Sequence, residues 1–521
     1  MTQHEEAGSE ATGLVNGAAG TRRKAKPLTL RVFRRQVGLV GLVGLIFFTA
    51  SGGPFGLEQA IGSSGPGMAV LLILLVPLIL AVPAALMSAE LGAAIPLEGG
   101  YYYWAKAAFG PFAAFIVGLG AWFTSFLDTA LYPVLFVDYL ATWFPALGRG
   151  QGFSVSTFNG QVSLDLHWLI AVASMIPLAL LNARGIRLVG DASAALTVVI
   201  LLPFVVVTIL GVAHIIHTGA SPLAPFVAKG QAPAAAFAAG LAVVIWNYVG
   251  FDKISTAGGE VDRPARTYPL ALAIAVPLIM LTYLLPMVAS LASGLHHHDP
   301  SQWTQGDFAR AAGMLGGDWL QIGVLIAAGV SNIGLFSACL LATSRLPAVL
   351  AADRLLPAPL ARVHPRYGTP VVAITVSVCF FAVFCSMSFK SLLNADIMLG
   401  FGVLALEFLA LLVLRRRYPA MNRPFRIPGG WPVLALVVFL PTLIGIGVLF
   451  ATISLDPFSA VLGLGAFALC ALLYPVSRRI WKQDRPDADV DLDAVDFGPG
   501  TDPALILEGR PRASRSSPLG A

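Results

Sequence analysis

Three carboxylates stand inside long apolar runs of the chain: Glu58, Asp128 in Phe126-Leu127-Asp128-Thr129-Ala130-Leu131-Tyr132-Pro133, and Asp252 in Trp246-Asn247-Tyr248-Val249-Gly250-Phe251-Asp252. An acid at the centre of a membrane-spanning helix costs about 3 kcal/mol on insertion scales, so such residues are functional candidates by default. Only one base, Lys253, lies close to them in sequence. Their shared chemistry is therefore attraction of a cation. Trp246, Tyr132, Tyr248 and Phe251 could present aromatic faces to an organic cation, ordinary packing being the competing role. Lys253 either pairs with Asp252 or faces a cytoplasmic exit. Glu58 either faces a cation or stabilises the start of a helix through the macrodipole, and the cation-facing role is preferred here. Glu407, deep in a later apolar run, reads equally as a proton carrier and as a helix-packing partner.

The other titratable groups read as structural. Glu90 and Glu260 fall near the cytoplasmic ends of apolar runs, where they would hold loops or form gating ion pairs with arginine. Asp138 belongs near an outer helix end, and His214 and His217 lie at an interface. His296-His297-His298-Asp299 in a loop is a weak metal motif. The four cysteines lack CxxC spacing, so neither a disulfide framework nor a zinc site is expected. There is no G-x-x-x-x-G-K-[ST] and no Ser/His/Asp or paired-carboxylate arrangement outside the apolar runs, so neither ATP hydrolysis by a P-loop nor any enzyme activity or cofactor is expected. Gly38, Gly41 and Gly44 form a stripe suited to close helix packing.

The elements that must position these acids follow from composition. The 521 residues are 57% hydrophobic and only 12% charged, about half the charge of a soluble domain. Such a chain can be hidden only in a lipid bilayer. A hydrocarbon core about 30 Å thick needs roughly 20 apolar residues per helix, and twelve spans are read at 37–64, 67–93, 110–141, 167–183, 192–217, 232–259, 268–293, 319–346, 369–388, 393–414, 431–454 and 457–476. No span alternates as a barrel strand would, so the fold class is all-α and polytopic. With the N-terminus inside, 29 of the 33 lysines and arginines fall on the cytoplasmic side, leaving Arg149, Lys229, Arg310 and Lys390 outside. That asymmetry places both termini in the cytoplasm. It also accounts for the +5 net charge without a nucleic-acid partner. No cleavable signal is read, and within the tails, 1–36 and 477–521, residues 1–30 and 483–521 are expected to lack regular structure.

Two spans are interrupted in comparable ways: span 1 at Ser51-Gly52-Gly53-Pro54, span 6 from Trp246 to Asp252. They open two five-span halves, 37–217 and 232–414, followed by helices 11 and 12 at 431–476. Broken spans at matching positions point to inverted repeats and a secondary carrier, with the site at the breaks. A break offers N–H groups to an anion and carbonyls to a cation. Pro54 removes one N–H from the first, which weakens it as a carboxylate cradle.

At these breaks the chain resembles the amino acid–polyamine–organocation superfamily. The resemblance is carried by Gly250-Phe251-Asp252-Lys253-Ile254-Ser255-Thr256 followed by Gly259-Glu260-Val261-Asp262-Arg263-Pro264, and covers at least spans 1 to 10. Gly52-Gly53-Pro54-Phe55-Gly56-Leu57-Glu58, Ser88-Ala89-Glu90-Leu91-Gly92 with Gly99-Gly100-Tyr101, and the run from Asp128 to Leu140 are similar to its polyamine:proton symporter branch. The resemblance implies a leucine-transporter-type 5+5 inverted repeat with helices 1 and 6 broken. It implies ammonium groups bound around Glu58, Asp128, Trp246, Asn247 and Asp252, with Gly52, Gly53, Tyr132 and Phe251 adjoining. The chain departs from that branch at Gln59, Thr129 and Phe251, where Asp, Asn and Trp are usual. One acid fewer favours a shorter diamine, or a neutral or cationic amino acid, over a long polyamine. The expected activity is proton-coupled symport of polyamines or related organic cations by alternating access in the inner cell membrane. Glu58, Asp128 or Glu407 would carry the proton, burial bringing such carboxyls into a useful titration range. Sodium ranks second, with Ser331, Ser337 and Thr343 as added oxygens. An amino-acid permease or exchanger is the alternative, and a non-transporting sensor on the same fold the third reading.

Overall fold

The first apolar run is two helices, α1 (Leu39–Ala50) and α2 (Glu58–Ser64), separated by seven non-helical residues. A computed structural model describes residues 36–141, 144–148, 152–157, 160–228, 230–455, 457–481 and 495–497. The expectation for both tails therefore falls largely outside the described residues. The helix stops where Gly52 and Gly53 take positive φ of 67° and 115°, a region that only glycine enters freely. A Cβ on Gly52 would also lie 2.5 Å from Leu335.

The chain continues through α3 (Pro66–Val76) and α4 (Val82–Ala94), joined by a π turn, then α5 (Tyr101–Phe109), α6 (Pro111–Ala141), α7 (Leu166–Ala183), α8 (Ile186–Thr218) and α9 (Pro233–Asn247). After the second break come α10 (Pro264–Ala292), α11 (Asp307–Gly316), α12 (Asp318–Thr343), α13 (Arg345–Ala352), α14 (Val371–Phe384), α15 (Phe389–Arg417), α16 (Gly430–Leu455) and α17 (Pro457–Ile480). Among the described residues nine helices are long and apolar enough to cross a membrane by length and composition. Three shorter apolar helices, α1, α9 and α14, occupy the places expected for spans 1, 6 and 9. At 1.5 Å per residue, the 12 residues of α1 rise only about 18 Å, so the broken run needs its second segment to go further.

Three local features depart from expectation. The second half of span 6 is not an α-helix: Lys253–Thr256 and Gly258–Glu260 form 3-10 turns before Pro264 starts α10. Two adjacent glycines, Gly258 and Gly259, deprive that stretch of helix propensity. An antiparallel hairpin, β1 (Phe153–Thr157) and β2 (Gly160–Leu164), interrupts the all-α pattern between α6 and α7. Within the C-terminal tail, residues 495–497 return to the body of the protein. Val495 and Phe497 are buried, Phe497 packs 5.0 Å from the Tyr418 ring, and the Asn422 amide donates to the Asp496 carbonyl at 2.9 Å.

In the interior, α12 packs against α6 and α8, and α1 against α8, α10 and α12. Gly41 and Gly44 serve that packing, since a Cβ on Gly44 would meet the Ala194 backbone at 2.6 Å; Gly38, with open space around it, does not. Helices α16 and α17 lie outside, against α15, α6 and α4. On α8, Val198, Leu202, Val205 and Ile209 are all exposed. Their helical spacing forms an apolar stripe turned outward, the surface a lipid phase would cover.

Candidate functional site

The two breaks meet. A Cβ on Gly250, whose φ is 117°, would fall 2.1 Å from the Thr49 carbonyl oxygen, so the backbones pass where only glycine fits. Tyr283 on α10 ties them together: its hydroxyl donates to the Asn247 carbonyl at 2.7 Å and lies 3.4 Å from that of Ala50. Ser331 on α12 donates to the Gly52 carbonyl. The carbonyls expected to face a cation are thus already served by hydroxyl donors. The amides of the first break are likewise satisfied from within. Ser51 and Gly52 donate to the Phe47 carbonyl, Gly53 to the Ser51 hydroxyl, Leu57 to the Pro54 carbonyl, and Gly56 to the Glu58 carboxylate. No cradle of free N–H groups for a carboxylate forms from these five.

Beside the second break, between α6 and α15, lies a cavity of roughly 650 Å³ including its open mouth, lined by Asp128, Trp246, Asp252, Lys253 and Asp396. A smaller space of about 310 Å³ adjoins it on the side of Ser51, Tyr132 and Asn247 and shares Asp128, Trp246, Lys253 and Asp396. Asp128 is only 2% exposed. Its Oδ2 accepts from the Lys253 ammonium at 2.8 Å and its Oδ1 from the Tyr132 hydroxyl at 3.0 Å. Lys253 therefore pairs across to α6 and not with its chain neighbour Asp252. Asp252 and Asp396, 8% and 7% exposed, each keep one carboxylate oxygen with no partner among the described residues. The Trp246 indole stacks on Tyr132 at 6.4 Å and meets Phe389 edge-on at 5.7 Å.

Of the residues singled out in the sequence, the structure gathers Asp128, Tyr132, Trp246, Asn247 and Asp252 around these spaces and leaves five outside them. Gly52 and Gly53 are turned into packing against Leu335 and Ile200. Phe251 is fully buried. Glu58 is fully buried in a closed cage, accepting from the Gly56 amide at 2.8 Å, the Tyr139 hydroxyl at 3.0 Å and the Gly306 amide at 3.4 Å. Phe55 completes that cage, stacking edge-on against Tyr139 and Phe204. Glu407 lies three turns along α15 from Asp396, on the same face. Both its oxygens are unpartnered, and its electrostatic neighbour is Asp252.

Asp396 is the residue that sequence reasoning passed over. Its signal was the one used for Glu407, an acid in an apolar run. Helix α15 begins at Phe389 and carries Asp396 two turns in. The three hydroxyls considered for sodium do not converge. Ser331 serves Gly52, Ser337 accepts from Asn182 on α7 at 2.9 Å, and Thr343 donates to the Cys339 carbonyl at 2.7 Å. Six-residue steps along a helix turn successive side chains away from one another.

Outside the cavity, the acids read as structural form ion pairs. Arg415 holds Glu90 with two nitrogens, joined by Arg423 at 3.3 Å and the Ile427 amide at 2.9 Å. Arg345, almost completely buried, binds Glu260 at 2.8 Å and Glu98 at 3.3 Å. Burial, reinforced by the neighbouring Glu260 charge and opposed by Arg345, holds the Glu98 carboxyl well above the usual carboxylate range. Asp353 takes both Lys106 and Tyr102, and Asp138 pairs with His167 at 2.8 Å.

Comparison with known proteins adds a family and several relatives. Residues 30–469 match the family model described as amino acid permease. Polyamine transporter PUT1 of Oryza sativa subsp. japonica is 35% identical over 504 residues, covering 95% of this chain and 86% of that protein. Polyamine transporter RMV1 of Arabidopsis thaliana is 33% identical, with 86% of each chain covered. The branched-chain amino acid permease BcaP of Bacillus subtilis (strain 168) is more distant, at 22% identity over 80% of this chain and 84% of its own length.

Proposed function

The chain belongs to the amino acid permease family, and on that premise we propose that it is a multi-pass membrane carrier of polyamines. One observation carries the reading: the cavity at the second break holds three carboxylates, of Asp128, Asp252 and Asp396, against the single ammonium of Lys253. Such a cavity attracts amines, and the Trp246 face beside it suits their methylene chains and charged ends. The relatives PUT1 and RMV1, named as polyamine transporters, support the same substrate class.

In this proposal twelve spans cross the inner cell membrane with both termini cytoplasmic. The repeats 37–217 and 232–414 rock about the site to give alternating access. Transport is symport with protons. Glu407, buried with two unpartnered oxygens beside Asp252, carries the coupling proton, and Tyr101, which lines the cavity and neighbours both acids, connects them. Asp252 and Asp396 bind the ammonium groups, with Asp128 held by Lys253 beside them and Asn247 and Tyr132 adjoining. Glu58, caged here, latches α2 to α6 and to the loop before α11. The alternative, an amino-acid permease, needs the Ser51–Phe55 break to bind a substrate carboxylate, but the amides of Ser51, Gly52 and Gly53 are engaged within the protein.

The test is counterflow of labelled putrescine, spermidine and a panel of amino acids in proteoliposomes, with and without a pH gradient. Amine uptake that an inward proton gradient accelerates is the expected result. Amino-acid uptake that excess putrescine and spermidine leave unchanged, with no uptake of either amine, would overturn it.

A further inference from the structure

The cavity acids are not equivalent. Asp128 has both oxygens engaged, one by Lys253 at 2.8 Å and one by Tyr132 at 3.0 Å. Asp252 and Asp396, on two different elements, are more than nine-tenths buried, line the same cavity, and each keep an oxygen without a donor among the described residues. A buried carboxylate oxygen without a donor is costly, and an ammonium, carrying three N–H donors and a positive charge, satisfies it best.

We infer that Lys253 is a built-in ammonium that sets the charge number of the cargo, reserving Asp128 for itself and leaving two carboxylates, hence selecting a dication such as a diamine over a triamine. The inference rests on the polyamine reading above and sharpens it. With the four groups ionised, three carboxylates and one ammonium give the cavity a formal charge of −2. A diamine brings +2 and one ammonium for each unpartnered acid. A monoamine leaves one acid unserved. Among the groups that line the cavity, which Glu407 does not, a triamine finds its third carboxylate only by displacing Lys253, which would then stand without a counter-charge; breaking a buried pair in this way is strongly unfavourable. A charge on the protein also discriminates better than cavity length, because a flexible polyamine can fold to fit.

The experiment is displacement of labelled putrescine counterflow in proteoliposomes by putrescine, spermidine and mono-acetylated spermidine. The acetylated compound keeps the spermidine backbone but carries two charges. Wild-type protein is expected to bind putrescine and the acetylated triamine more tightly than spermidine itself. In Lys253→Gln, which frees Asp128, the preference should move toward spermidine by about tenfold or more, the scale of one close charge–charge interaction partly screened. Lys253→Arg keeps the charge and should keep the wild-type order.

Wild-type protein that prefers spermidine to its acetylated form overturns the inference, and this comparison needs no variant to fold. A Lys253→Gln protein that carries amines with an unchanged order overturns it equally. If no amine of any length competes in wild type, the polyamine reading itself fails, an outcome distinct from both.

Discussion

Beside the first broken helix, Glu58 meets the Gly56 amide, the Tyr139 hydroxyl and the Gly306 amide, all of them neutral donors. At the second break, Asp128 meets a charged donor, while Asp252 and Asp396 each retain an oxygen without one. Both regions are buried and both carry acids that the sequence marks in the same way. The difference lies in what surrounds them. A carboxylate whose lone pairs are served by fixed protein groups is part of the framework. One with lone pairs to spare beside an open space is prepared for something that arrives.

The largest effect that tests this contrast is expected at Asp128. Asp128→Asn strands Lys253 without its counter-charge, and loss of a buried pair partner is worth about 3–5 kcal/mol. Initial uptake of labelled putrescine should fall by roughly a hundredfold or more, and uptake near the wild-type rate would move the cargo site elsewhere. Next comes Glu407→Gln. Accumulation driven by a pH gradient should disappear while counterflow between equal amine pools persists; loss of both would make Glu407 part of the binding site or of the packing.

Glu58→Gln should do less. It keeps an acceptor for the Gly56 amide, so we expect a stability loss of about 1–2 kcal/mol and an amine affinity within about threefold of wild type, read by thermal unfolding and by displacement. Abolished uptake in a protein of unchanged stability would erase the distinction between the two regions. The smallest effect concerns Glu98. Its carboxyl is held above its unfolded range, so the folded state binds more protons there, and stability is lost as pH rises from the unfolded value toward the folded one. Glu98→Gln should therefore gain in melting temperature over wild type at alkaline pH, with the gain fading as pH falls to about 4, the ordinary glutamate range. A gain independent of pH would show that packing, not charge, limits that site.

The first break was legible because Ser51-Gly52-Gly53-Pro54 concentrates two glycines and a proline in one apolar run, whereas lone prolines such as Pro133 and Pro203 sit inside unbroken helices. Other features depend on contacts that no local pattern carries. The Glu58 cage is built by Tyr139, 81 residues away, and Gly306, 248 away. The partner of Lys253 is 125 residues distant in the chain, while a tempting one is adjacent. Asp396 lies within the apolar run 393–414 as Glu407 does, and only the fold shows that it lines the cavity with Asp128 and Asp252.

The crossing of Gly250 against the Thr49 carbonyl, pinned by Tyr283 to both strands, bears on motion as well as on shape. Two backbone segments in contact and sharing one hydroxyl are coupled there: a displacement of either break would press on the other, and the space lined by Thr49, Ala50, Trp246 and Asn247 would shift with them.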